Sequence, residues 1–203
     1  TLNSKINFQG SNEDLDFSIS TEIYENLSKE KNSDKYEFIL PNFNITKTID
    51  TKLEGFLTLT NTGYNKLFDT NVNEKVLVND LSYKSLDNIN NFGFINNFEI
   101  LMKNFNAQSE NSGYLKNKTE NDLQGIIQLN SKIPLKKEGY KYSSSLTPIF
   151  VGKFNPFKNK NISDFDRMVD YKNIYSINRI GSNETLEGNS SITVGNEFKI
   201  FNN

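Results

Sequence analysis

The sequence predicts an all-β chain, an antiparallel up-and-down transmembrane β-barrel present as an incomplete piece with about nine strands. Three observations carry this. Apolar residues occupy alternate positions over nine segments, the connections run short and long in turn, and the faces opposite the apolar ones are polar. A period of two lines one side of a strand, whereas a helix would scatter the same residues around its circumference.

Segment 2–8 has Leu2, Ile6 and Phe8 in phase, and the next, Leu15-Asp16-Phe17-Ser18-Ile19-Ser20-Thr21-Glu22-Ile23, alternates without a break. Segment 38–45 carries Ile39, Pro41, Phe43 and Ile45 on one face, and 53–59 carries Leu53, Gly55, Leu57 and Leu59. In 76–83 apolar side chains fall on both phases; 92–102 aligns Phe92, Phe94, Phe98, Ile100 and Met102. Segment 123–133 shows Leu123, Gly125, Ile127, Leu129 and Ile133; 142–154 shows Leu146, Pro148, Phe150, Gly152 and Phe154; and 192–200 shows Ile192, Val194, Phe198 and Ile200. Such segments, roughly 8 to 12 residues long, are long for a soluble sheet and suited to a tilted bilayer crossing.

The expected connections alternate strictly. Short ones at 10–14, 46–52, 86–91 and 134–139 would share one end, and long ones at 26–35, 61–75, 104–122 and 155–187 the other. That is the asymmetry of short periplasmic turns and long extracellular loops. The opposite faces, with Asp16, Ser18, Ser20, Glu22, Asn42, Asn44, Glu54, Thr58, Gln124, Gln128, Asn130, Lys132, Ser143 and Thr147, read as a wet interior. Tyr24, Tyr64, Tyr83 and Tyr142 near segment ends are candidates for an interfacial girdle, although tyrosine also simply favours strands.

Composition excludes several chemistries. The 203 residues contain no Cys, His or Trp, so disulfides, thiolate metal sites and Ser-His or Cys-His nucleophilic pairs cannot arise within the chain. We expect no enzyme activity, no cofactor and no catalytic or metal residues. A net charge of −2 with lysines and carboxylates interspersed gives no nucleic-acid footprint. Mean hydropathy is −0.62, and no apolar run approaches the roughly 18 residues of a spanning helix. The opening Thr1-Leu2 suggests a mature, processed or partial chain.

Candidate site residues cluster in the longest connection. Arg179 is one of two arginines, with Arg167, among many lysines, and a planar bidentate donor there suggests an ion pair with Glu187 or Asp170 that orders the loop. Asp164, Asp166 and Asp170 could hold a divalent cation if they converged, but read better as a solvated acidic loop. Pro41 and Pro148 sit inside strand patterns, where each deletes a ladder donor and suggests a bulge, an edge or a weak seam.

Several motifs in order resemble a known family. They are Leu146-Thr147-Pro148, Phe154-Asn155-Pro156, the run from Asp170 to Gly181 that includes Asn178-Arg179-Ile180-Gly181, Leu186-Glu187-Gly188, and a strand with Gly195. Upstream lie Tyr24-Glu25-Asn26-Leu27, Ile39-Leu40-Pro41-Asn42-Phe43 and the run from Val78 to Ser85. Together they resemble the outer-membrane barrel of the LPS-assembly protein (LptD, organic solvent tolerance protein) family over nearly the whole chain. The resemblance singles out Pro148, Asn178, Arg179, Gly181, Glu187 and Gly188 as structural or loop-motif positions. It implies a Gram-negative outer membrane and non-covalent insertion of lipopolysaccharide into the outer leaflet. It also implies outer-membrane lipid, a plug lipoprotein in the lumen and a periplasmic LPS-transport bridge as partners. On this reading residues 1–203 are part of one barrel domain, incomplete at both ends. Unpaired edges then predict aggregation in buffer. A porin-like diffusion barrel and a soluble β-sandwich adhesin or binding module remain alternatives.

Overall fold

A computed structural model of the chain describes residues 1–29, 33–158, 169–180 and 184–202. Its strands are β1 (Leu2–Ser11), β2 (Leu15–Glu25), β3 (Tyr36–Ile49), β4 (Gly55–Phe68), β5 (Asn73–Ser85), β6 (Asn88–Ile89), β7 (Ile95–Glu110), β8 (Glu120–Lys132), β9 (Leu135–Lys137), β10 (Tyr142–Phe154) and β11 (Ser191–Asn202). They form one sheet in the order β1-β2-β3-β4-β5-β7-β8-β10-β11, with β6 on β7 and β9 on β10. Among the described residues no pairing joins β1 to β11. Among the described residues there is no helix, hence none long and apolar enough to cross a membrane. The chain divides into two compact units: Thr1–Asp50, Leu57–Leu81 and Met102–Gln124 form the first, and Thr51–Phe56, Ser82–Leu101 and Gly125–Asn203 the second.

The expected nine segments correspond to the nine long strands, but the faces carry an unusual polarity. In the first unit Ser20 and Glu22 of β2 are buried while Phe17, Ile19 and Ile23 are exposed. In the second, Gln128 of β8 and Ser143 and Lys153 of β10 are buried, while Ile127, Leu129, Phe150 and Phe154 are exposed. A sheet packed on a soluble core does the opposite. The first unit has one small conventional cluster, Val76, Val78, Phe105 and Ala107, against which Tyr64 and Leu115 pack.

Four expectations need correction. Strict alternation of connection length fails: β4 and β5 are joined by 69–72 alone, and β7 and β8 by 111–119, because strand continues through stretches whose asparagines suggested loop. There Phe105 and Ala107 are buried, as are Val76 and Val78 just beyond, together with Glu74 and Ser109, and the exposed side chains include Asn121 and Gln108, a partial reversal of the pattern elsewhere. Second, Phe92 lies in a turn, not a strand. The Asn90 side-chain oxygen accepts the N–H groups of Phe92 and Phe94, both at 3.0 Å, and Gly93 has φ of +82°, a conformation that favours glycine.

Third, β3 does not keep one phase. Glu22 faces Ile39 and Ser20 faces Asn42, so Leu40 and Pro41 together oppose a single residue of β2, and β4 shows the same shift. An extra residue reverses the alternation. Ile39 therefore shares the face of Glu22, whereas Phe43 and Ile45 share that of Ile19 and Phe17. Fourth, Tyr24 and Tyr64 do not lie on the exposed face, where a girdle would need them. Tyr24 donates to Glu22 on the buried side and Tyr64 packs on the apolar cluster. Tyr142 is exposed, and Tyr83 packs against the exposed Phe98 at 5.5 Å between ring centroids.

Candidate functional site

In the second unit the chain after β10 turns back over the buried face of its own wall. Register places Lys153 of β10 between Gln128 of β8 and Ser191 of β11, and Val151 opposite Thr193. All point to the polar, buried side. Loop residues 169–180 and 184–190 supply groups that meet this row.

Arg179 grips Glu187 with two donors: Nε reaches Oε2 at 2.7 Å and Nη2 reaches Oε1. The same guanidinium donates from Nη2 to Ser191 Oγ at 3.2 Å and from Nη1 to Thr193 Oγ1 at 3.4 Å. Lys153 Nζ approaches Glu187 Oε2 from the wall at 3.3 Å. One carboxylate thus sits between two cations, with side chains exposed by 3% for Lys153, 14% for Arg179 and 18% for Glu187. Burial alone would push the Glu187 carboxyl up, but the Arg179 hydrogen bonds and the charges of Lys153 and Arg179 prevail and hold it below its ordinary value. The hydrogen bond to Glu187 in turn raises the Arg179 guanidinium above its ordinary value. A planar fork matched to a carboxylate explains why arginine stands here in a lysine-rich chain.

Further bonds fasten the loop. Asn155, just after β10, donates to the Glu187 carbonyl at 2.7 Å and accepts the Phe157 N–H at 2.9 Å; the Asn189 N–H reaches the Phe157 carbonyl at 2.8 Å. Gln128 donates to the Tyr175 carbonyl at 3.0 Å and to Asn130 at 2.9 Å, and Asn130 continues to Asn97 at 2.8 Å. Tyr175 also lies directly against Gly195 of β11, where a Cβ would collide with its hydroxyl. Beside this contact lies a pocket of about 250 Å³, lined by Lys84, Glu99, Asn97, Asn130, Lys132 and Tyr175. Ile95, Ile149 and Val151 complete the lining, so its chemistry is mixed, with the paired charges Lys84 and Glu99 2.9 Å apart.

Of the two partners expected for Arg179, Glu187 takes the role. Asp170 instead caps the 170–176 turn, its carboxylate accepting the N–H groups of Lys172 at 2.8 Å and Asn173 at 3.1 Å. Gly188 is buried beside Glu187, with Thr185 and Leu186 before it. Asn178 Oδ1 is buried with no hydrogen-bond partner among the described residues. Gly181, Asp164, Asp166 and Arg167 lie outside the described residues. No group of three or more acidic residues among the described residues could hold a metal ion.

Pro148 is not part of this loop site. It faces Asn196 of β11, and on its other side it falls between Ile149, paired with β8, and Leu146, paired with β9. The proline thus occupies a break in the ladder, where its missing N–H costs least. Sequence reasoning missed Lys153, Gln128, Asn155 and Tyr175 as loop anchors. Gly195 was the available signal: an unfilled position in a strand invites a neighbour to approach closely. No protein-family model matches the chain, and no curated protein matches it.

Proposed function

We propose that this chain is wall from an outer-membrane β-barrel that inserts lipopolysaccharide into the outer leaflet without covalent chemistry. The observation that carries the membrane part is the polarity of the faces: charged and amide side chains buried, apolar side chains exposed over most of the sheet. Hydrocarbon is the solvent that accepts the exposed face. The lipopolysaccharide part rests on the family resemblance, whose Arg179 and Glu187 form one ordered unit against the wall. In this reading sugars pass along the polar face, acyl chains leave toward the outer leaflet, and a plug lipoprotein and a periplasmic bridge complete the machine.

A second reading, a porin-like diffusion barrel, draws support from the loop that folds onto the polar face and sets Lys153, Glu187 and Arg179 there, as a constriction would. Depletion of the intact protein in its own cell separates the two. Loss of surface lipopolysaccharide supports the assembly reading. Unchanged lipopolysaccharide with slower small-solute uptake supports the porin.

A further inference from the structure

Along β7 both faces exchange character at one level; at the same level the outward face of β8 changes from Leu123 to Asn121, and the buried face of β5 from Asp80 to Val78 and Val76. On one side of it the exposed face shows Leu81, Met102 and Leu123, and the buried face carries the ion pair Lys103–Asp80 at 2.7 Å. On the other side the buried face carries Val76, Val78, Phe105 and Ala107, with Glu74 and Ser109 buried nearer the tip and Asp122 and Glu120 half-buried on β8, while the opposite face shows Lys75, Leu77, Asn106, Gln108 and Glu110. At the level itself lies a row of amides facing outward, Asn79, Asn104 and Asn121. Asn79 donates to Asn104 at 3.1 Å, and Asn104, Asn106 and Asn121 close a ring: Asn106 to Asn104 at 2.6 Å, Asn104 to Asn121 at 3.4 Å, Asn121 to Asn106 at 2.8 Å.

We infer that this amide row is where the wall meets the headgroup layer of the bilayer at the end bearing connections 69–72 and 111–119, the β7–β8 hairpin and the adjoining end of β5 standing beyond it. A strand segment with a polar outside and apolar inside is built for water, and one with the reverse is built for hydrocarbon. The exchange of both faces along β7, with one face each of β5 and β8 changing at the same level, therefore marks a change of solvent, which burial of the apolar patch under a protein partner would not require of the opposite face. Mutually bonded, uncharged amides suit a zone where water is scarce and phosphates and sugars are near. The occupant of the face is lipid, and the inference rests on the membrane reading above.

The chain lacks tryptophan, so single-tryptophan variants report cleanly. Met102→Trp and Leu123→Trp sample the apolar side on two strands; Gln108→Trp and Lys75→Trp sample the other side, again on two strands. Each full-length variant is placed in phosphatidylcholine vesicles with brominated acyl chains, and acrylamide is added to the water. We expect the first two to lose most of their emission to bromine and little to acrylamide, and the second two to do the reverse. Bromine quenching of all four overturns the boundary and leaves the membrane reading standing. Acrylamide quenching of all four, with none from bromine, overturns both.

Discussion

Glu187→Gln should free the loop from the wall. Glutamine keeps the shape but removes the charge that offsets Lys153 and Arg179, whose side chains are almost wholly and largely buried respectively. Breaking a buried ion pair on one side costs about 3–5 kcal/mol. Arg179→Lys is milder, because the charge stays and the fork is lost. The loss of about one charge-assisted hydrogen bond, roughly 1.5–3 kcal/mol, raises the open population about 10- to 150-fold. The assay is hydrogen exchange of the amides at 170–180 and 184–189 in the reconstituted protein, with tryptic cleavage at the exposed Lys172 as a second reading. Exchange in the paired strands β2 and β3 is the internal reference and should not change. Wild-type protection in Glu187→Gln, or in Arg179→Lys, would refute the claim that this carboxylate and its fork hold the loop.

Three further outcomes are expected. Glu187 has a depressed carboxyl pKa, so its ionised contribution is complete above the ordinary glutamate value of about 4.3 and fades as pH falls through the lower native value; loop protection should therefore be flat at neutral pH and decline only in acid. Gly195→Ala should displace Tyr175 and raise exchange at 173–177, and adding Tyr175→Phe should restore part of the protection, since the hydroxyl makes the closest contact. Phe105→Ala should cost about 3–5 kcal/mol as a buried aromatic truncation, while Phe98→Ala, on the exposed face beside Tyr83, should cost about 0.5–1.5 kcal/mol from the lost ring pair; urea midpoints in vesicles distinguish them.

Alternation was sufficient to find most of the nine long strands because one face of each contains a run of apolar residues, as in Phe17, Ile19 and Ile23. It failed where a local event changed the phase or the solvent. Leu40 and Pro41 insert one residue in β3 and move Ile39 to the other face, which no count of alternate positions reveals without the pairing partners. Phe105 and Ala107 look like loop residues among asparagines because their strand has changed which face is apolar. Within the site, Arg179 and Glu187 were legible from the rarity of arginine. Lys153 and Gln128 were not, because a lysine and a glutamine on the polar side of a strand look alike whether they face water or a returning loop. Tyr175 became visible only through Gly195 on a distant strand.

Asparagines that bond one another behave during assembly as something other than separate polar groups. Moving a bare amide into hydrocarbon costs several kcal/mol. In the β7–β8 hairpin, Asn104, Asn106 and Asn121 form a closed ring, and Asn79 of β5 joins it from the next strand. If the wall inserts tip first, a hairpin that has closed this ring threads the bilayer with part of its amide hydrogen bonding already satisfied. Hairpin formation before crossing is then the lower-energy order of events, favoured by side chains that belong to neither the polar face nor the loop.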